Sequence, residues 1–176
     1  MMTMMDPSIV AFETSLGTCA LRWTDVGIAG VRFPSPRTGA LPRVDDRGEV
    51  PPAIRAAIAG IVDVLGGRAM DLGFVVLDEH GIDPLRRAVY AATRTIPPGT
   101  TATYGEIARA IDRPDAARDV GAALARNPFP IIVPCHRVLG ANGTLTGFSA
   151  PGGLETKRRM LELEGAPGFG QQVLFG

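Results

Sequence analysis

Thr103-Tyr104-Gly105-Glu106-Ile107-Ala108-Arg109-Ala110-Ile111-Asp112-Arg113-Pro114-Asp115-Ala116-Ala117-Arg118-Asp119-Val120-Gly121-Ala122-Ala123-Leu124-Ala125-Arg126 decides how the second half of this chain folds. Thr103 with Glu106 three positions on is a capping box, in which hydroxyl and carboxylate satisfy each other's backbone amides and open a helix at Tyr104. That helix runs to about Ile111, and Asp112-Arg113-Pro114-Asp115 turns the chain. A second helix over 116–126 stops before Asn127-Pro128. Two short helices joined by about four residues read as a helix-turn-helix. Its second helix has a small-residue face, Ala117, Gly121 and Ala122, with Ala125 close by. A helical glycine costs up to ~1 kcal/mol relative to alanine. Close approach by another backbone, by nucleic acid, or tight helix packing each accounts for Gly121. Arg118 in the first turn opposes the helix dipole, which points to a partner outside the helix.

Upstream, Asp83 can cap a helix opening at Pro84, with Leu85, Val89 and Ala92 on one face and Pro97-Pro98-Gly99 as its stop. Before the linker Asp78-Glu79-His80-Gly81 the pattern changes. Segments 8–13, 18–23 and 28–33 alternate as strands of an antiparallel meander. Residues 34–51 are rich in Pro, Gly, Arg and Asp and read as a long surface loop. Ile54, Ile58, Ile61 and Leu65 recur at helical intervals between Pro52 and Gly66-Gly67. Residues 70–77 read as one more strand. The expected organisation is an α/β (α+β) chain with an N-terminal domain over 1–80 and a mostly helical domain over 81–176.

Downstream, Ile131-Ile132-Val133-Pro134-Cys135-His136-Arg137-Val138 carries the chemistry. A lone cysteine is commonly a small buried hydrophobe. A thiol flanked by an imidazole and a guanidinium has the neighbours that make a thiolate nucleophile. In an extended stretch adjacent side chains point to opposite faces, so Cys135 and His136 meet only through a water or a turn after Pro134.

The 176 residues are 45% apolar and 20% charged, ordinary values for a globular chain. No stretch approaches the ~18 apolar residues of a membrane span. Met1-Met2-Thr3-Met4-Met5-Asp6-Pro7 lacks a basic segment leading into an apolar one, so no secretory leader is expected. Cys19 and Cys135 make no disulfide framework and fit a reducing, cytoplasmic setting. Net charge is zero, yet residues 1–80 carry 7 Arg against 10 Asp and Glu, and residues 81–176 carry 10 Arg and one Lys against 8. The basic second half is compatible with a phosphate backbone, although a solvated surface gives the same numbers.

Pro134-Cys135-His136-Arg137-Val138 resembles the active-site motif of the O6-alkylguanine-DNA alkyltransferases, DNA-repair proteins that take an alkyl group onto their own cysteine. Thr103 to Ala108 and Ala116 to Gly121 resemble that family's helix-turn-helix. Asn127-Pro128 before Pro134-Cys135 is similar in identity and spacing, and Gly152-Gly153-Leu154 with Lys157 and then Glu164-Gly165 resembles the family's C-terminal helix. Thr14-Ser15-Leu16-Gly17 with Gly27 and Phe33 is similar to its N-terminal domain, a small ribonuclease-H-like antiparallel sheet with a helix. The resemblance is weak over 34–51 and the tail Gln171 to Gly176.

The resemblance implies that Cys135 accepts the alkyl group, His136 acts as a water-mediated base and Glu164 orients it. Asn127 holds the turn between DNA helix and nucleophile. Tyr104 aids nucleotide rotation and donates a proton or hydrogen bond to the departing guanine. Arg118 enters the duplex where the flipped base was, and Ala117, Gly121 and Ala122 face the minor groove. Backbone groups of Cys135, Val138 and Ser149, with Phe148, line the guanine pocket. The implied partner is double-stranded DNA carrying O6-alkylguanine, met by a monomer, with no cofactor, no metal and no membrane, in one irreversible transfer after base flipping.

The chain departs from the family pattern at several points. Phe148 stands where many members have tyrosine, the Ser149-Ala150-Pro151 loop is longer, and Asp119 brings a carboxylate to the recognition helix. Cys19 and His80 are too few for the zinc site of some relatives. Alternatives are a lesion-binding module without transfer, against which Cys135 and the N-terminal half both argue, a helix-turn-helix regulator, and a thiol hydrolase.

Overall fold

Ser8–Thr14 (β1), Gly17–Trp23 (β2) and Ile28–Arg32 (β3) pair antiparallel in the order β1-β2-β3. The computed structural model describes residues 8–43 and 49–170. Gly17 closes the first hairpin with φ +115°, and the Thr14 hydroxyl donates to its carbonyl at 2.7 Å. Val10 faces Leu21 and Phe12 faces Cys19 across the ladder, all buried. Helix α1 (Pro52–Leu65) buries Ile54, Ile58, Ile61 and Leu65 into the same apolar cluster, as the spacing predicts. Ser15 Oγ donates to the Leu65 carbonyl and ties the first hairpin to the helix end.

The strand predicted over 70–77 does not form. Asp71 accepts a hydrogen bond from the Gly73 amide at 2.8 Å, and the Val75 amide bonds back to Leu72 at 3.1 Å, so the chain turns. Arg94 takes the carbonyls of Leu72 and Val75 at 3.0 and 2.8 Å, groups a ladder would need. Leu77 alone forms a bridge, to Ile28. The predicted loop over 34–51 holds a 3-10 turn at Thr38–Ala40 and a bridge from Arg43 to Ala11. Its residues 44–48, the start Met1 to Pro7 and the tail Gln171 to Gly176 lie outside the described residues.

Helix α2 (Pro84–Arg94) starts where Asp83 accepts from the Arg86 amide at 3.0 Å. Ala102–Thr103 (β4) pairs in parallel with Val138–Leu139 (β5), which fixes the start of α3 beside the segment that follows Cys135. Helix α3 (Tyr104–Ala110) has the predicted capping box, with Glu106 accepting from the Thr103 amide at 2.6 Å and Thr103 from the Glu106 amide at 3.2 Å. Helix α4 (Ala117–Ala125) is one residue shorter at each end than predicted, since Ala116 (φ −92°, ψ 21°) and Arg126 (φ −101°, ψ 10°) leave helical geometry and act as its caps. Helix α5 (Gly153–Leu163) follows. The fold is thus α/β, an N-terminal antiparallel sheet with one helix and a helical second half containing a helix-turn-helix.

One apolar cluster runs through both halves, from Val10 and Leu21 to Tyr90, Val120, Phe129 and Val138. Among the described residues no helix is long and apolar enough to cross a membrane. Cys19 is buried in β2 and hydrogen-bonded to Thr14, and His80 lies exposed in a turn.

Candidate active site

The chain reaches Cys135 through a tight turn that Asn127 holds. Its Nδ2 donates to the Val133 carbonyl at 3.0 Å and its Oδ1 accepts from the Phe129 amide at 2.9 Å. Ile131 within this turn has φ +76°, a conformation a β-branched residue adopts only where its surroundings force it, and it is 2% exposed. The stretch 131–138 is therefore not extended throughout. Cys135–Arg137 form a single 3-10 turn, closed by the Arg137 amide on the Pro134 carbonyl at 2.9 Å. Proline at 134 withholds an amide and favours the turn over a strand. Among the described residues no hydrogen bond joins the side chains of Cys135 and His136.

His136 is fully buried, and its Nε2 lies 3.0 Å from Glu164 Oε1 at the end of α5. Arg137 donates to the same carboxylate from Nε at 3.0 and 3.2 Å and from Nη2 at 2.6 Å, and its Nη1 bonds the Ile96 carbonyl at 2.8 Å. Burial disfavours a charged carboxyl, but the hydrogen bonds from His136 and Arg137 outweigh it and hold Glu164 at about 2. Burial lowers the His136 pKa against the pull of Glu164, which keeps the ring neutral. With a proton on Nε2 for Glu164, Nδ1 is the free acceptor, and it is buried without a protein partner among the described residues.

Burial pushes the Cys135 thiol up, while the Asn127 side chain and the Lys157 charge act the other way. Lys157 sits on α5 with no exposed surface. Its ammonium donates to the carbonyls of Val138 at 2.6 Å, Thr146 at 2.8 Å and Gly147 at 3.3 Å. Burial brings its pKa down to about 8. It lies 5.8 Å from the Tyr104 ring and 6.0 Å from the Phe148 ring. The Arg137 guanidinium, which the sequence sets beside the thiol, is taken up by Glu164 and the Ile96 carbonyl, and the role of Lys157 is not readable from the residues alone. Lys157 is the single lysine in a chain with seventeen arginines, a composition signal that could have marked it.

Cys135 borders a cleft of about 470 Å3 whose walls include Tyr104, Gly121, Thr146, Gly147, Phe148 and Ser149. That is within the ~300–1,000 Å3 of small-molecule sites. Tyr104 donates its hydroxyl to the Thr146 carbonyl at 3.2 Å, and burial raises its pKa, so it keeps its proton at neutral pH. Ser149 Oγ donates to the Ala125 carbonyl at 3.0 Å. Val138 does not line the cleft; it is buried and Lys157 takes its carbonyl. A Cβ built on Gly121 would meet only the Tyr104 ring, at an ordinary 3.8 Å, so helix packing does not demand glycine there.

Ala117 and Gly121 are half-buried on α4, and Ala122 and Arg118 are exposed. A shallow surface beside the cleft is lined by Tyr104, Arg109, Ala117, Arg118 and Gly121. Arg118 makes no hydrogen bond or ion pair among the described residues.

Residues 84–166 match the family model described as 6-O-methylguanine DNA methyltransferase, DNA binding domain. The chain is 47% identical over 112 residues to a methylated-DNA–protein-cysteine methyltransferase of Mycolicibacterium paratuberculosis, covering 61% of this chain and 66% of that one. It is 54% identical over 81 residues to the protein of that name from Methanosarcina acetivorans, covering 46% and 51%. These alignments thus span between half and two thirds of the relatives' lengths. Among solved structures, Mycobacterium tuberculosis OGT in complex with DNA aligns with a TM-score of 0.72 at 36% identity, over 92% of this chain and 96% of that one. The O6-methylguanine-DNA methyltransferase of Pyrococcus kodakaraensis aligns with a TM-score of 0.64 at 27% identity, over 92% and 100%. The chain belongs to the 6-O-methylguanine DNA methyltransferase family.

Proposed function

We propose that this chain repairs O6-alkylguanine in duplex DNA by moving the alkyl group onto Cys135, once per molecule. The supporting observation is Cys135 at the wall of the cleft beside α4, backed by the buried array of His136, Glu164 and Arg137. The Cys135 thiol is recessed in the cleft and cannot reach the alkyl carbon of a base that stays paired and stacked, so the nucleotide is extruded into the cleft. Arg118, exposed and uncommitted on α4, fills the vacated place in the stack. Ala117, Gly121 and Ala122 let the duplex approach that helix closely.

The thiol proton passes through one water to Nδ1 of His136, which Glu164 holds by Nε2. Thiolate sulfur attacks the alkyl carbon, the S–C bond forms as the C–O6 bond breaks, and the electron pair leaves on guanine. Tyr104 supplies a hydrogen bond or proton to that leaving group. Asn127 fixes the turn carrying Cys135, and Phe148 and Ser149 shape the guanine site. The thioether needs no cofactor to form and has no hydrolytic exit. The protein acts as a monomer in the cytoplasm, where reducing conditions keep the Cys135 thiol free.

The test is intact mass after incubation with a duplex carrying O6-methylguanine. A gain of one methylene unit, mapped to Cys135, is the expected result. Unchanged mass with tight lesion binding would instead indicate a binding module without transfer.

A further inference from the structure

Cys135 borders a second cavity, of about 310 Å3, on the side facing the N-terminal sheet. Its walls include Val31 and Phe33 from β3 and its exit, Leu124, Pro130 and Phe148. Phe33 is 5% exposed, and its ring meets that of Phe148 edge-on, with centroids 6.0 Å apart and planes at 72°. Phe148 lines both cavities, so the residue that shapes the base cleft is held from the N-terminal half.

Resting on the alkyl-transfer function proposed above, we propose that Phe33 is a specificity-determining residue that sets how large an apolar O6 substituent the site accepts. In a displacement at carbon, the attacking sulfur and the departing O6 lie in line, and the other substituents of that carbon spread sideways. For a methyl group these are hydrogens and need little room. A benzyl or butyl group carries its bulk away from the sulfur–oxygen line. Guanine occupies the cleft beside Tyr104 and Gly121, so the bulk turns into the second cavity. Val31, Phe33, Leu124, Pro130 and Phe148 give a hydrocarbon substituent apolar surface there, while Arg32, Ser35, Asn127 and Ser149 supply the polar part of the lining. Phe33 forms part of the wall that the N-terminal half contributes and, through its ring contact with Phe148, links that wall to the base cleft. Removing its ring lengthens the second cavity, and enlarging it fills the space.

The experiment measures second-order rate constants for transfer from O6-benzylguanine and O6-methylguanine in the same duplex sequence, for the unmodified chain, Phe33→Leu and Phe33→Trp. The ratio cancels any loss common to both lesions, such as a looser Phe148 or a partly unfolded population. Phe33→Leu is expected to raise the benzyl-to-methyl ratio at least threefold, and Phe33→Trp to lower it at least threefold. Thermal melting identifies the folded variants; if one fails to fold, the other carries the comparison. Transfer with a ratio within twofold of the unmodified chain overturns the assignment of Phe33 alone. No transfer from either lesion by the unmodified chain overturns the alkyl-transfer function, and the role of Phe33 with it.

Discussion

His136 Nε2 and Glu164 Oε1 stand 3.0 Å apart where neither side chain meets solvent, His136 being fully buried and the Glu164 side chain 2% exposed. Arg137 binds the same carboxylate through Nε and Nη2, so a guanidinium balances the buried charge and the imidazole stays neutral. A neutral ring, pinned at one nitrogen and open at the other, is the state a general base requires.

Replacing Glu164 with glutamine leaves Arg137 buried without its counter-charge. A loss of ~3–5 kcal/mol is expected for one broken partner of a buried pair. Transfer should slow by about 100-fold or more, in line with loss of general-base action. Glu164 also sets an acid limit. Its folded pKa of about 2 lies below the ordinary 4.5, so its stabilisation is present above pH 4.5 and is lost as pH falls towards 2. Urea melts from pH 6 downward should show that loss in the parent and a flatter profile in Glu164→Gln.

Lys157→Arg should behave as a drastic change. Three carbonyls converge on one ammonium with three donors, and a planar guanidinium is too large for that place. Stability should drop by ~2 kcal/mol or more as these carbonyls lose their partner. The charge that lowers the Cys135 pKa also moves away. The pH profile of inactivation by free O6-benzylguanine should therefore shift to alkaline values; an unshifted profile would remove Lys157 from the control of the thiol.

Gly121→Ala should separate stability from activity. Its Cβ meets only the Tyr104 ring at 3.8 Å, so the helix gains ~0.5–1 kcal/mol. The same methyl group projects at the cleft and at the α4 surface proposed to meet DNA, and transfer from duplex should slow. A variant both more stable and fully active would show that no ligand approaches that face of α4.

Arg118→Ala tests the duplex side alone. The guanidinium has no partner within the described protein, so melting should change by less than ~0.5 kcal/mol. Transfer from duplex should slow at least tenfold while reaction with free O6-benzylguanine holds, since a free base needs no flipping. Equal loss on both substrates would place Arg118 in the pocket or the fold instead.

Local chemistry made much of this molecule readable. The Thr103–Glu106 capping box, the Asp83 cap and the proline and glycine bounding α1 each act within one turn, and each is present. The failures are partly local, as where Asp71 turns the chain at Gly73 inside the predicted strand, and partly tertiary. Residues 70–77 carry strand-like apolar residues, but Arg94, some twenty positions away, takes their carbonyls. Lys157 looks like a solvated helix residue until Val138, Thr146 and Gly147 fold around it. The turn at Cys135 depends on Asn127 and on the left-handed Ile131, a conformation that no propensity for isoleucine would suggest.

The central claim is that Cys135 is consumed by its own reaction. A thioether sulfur is a poor leaving group and lies outside the thiol chemistry that cells reverse, so the alkyl group stays. Duplex carrying O6-methylguanine should be titrated in excess into a known amount of protein, and the methyl groups transferred counted at long times. A plateau at one methyl group per active chain is the expected result. Continued transfer beyond that plateau would contradict the account.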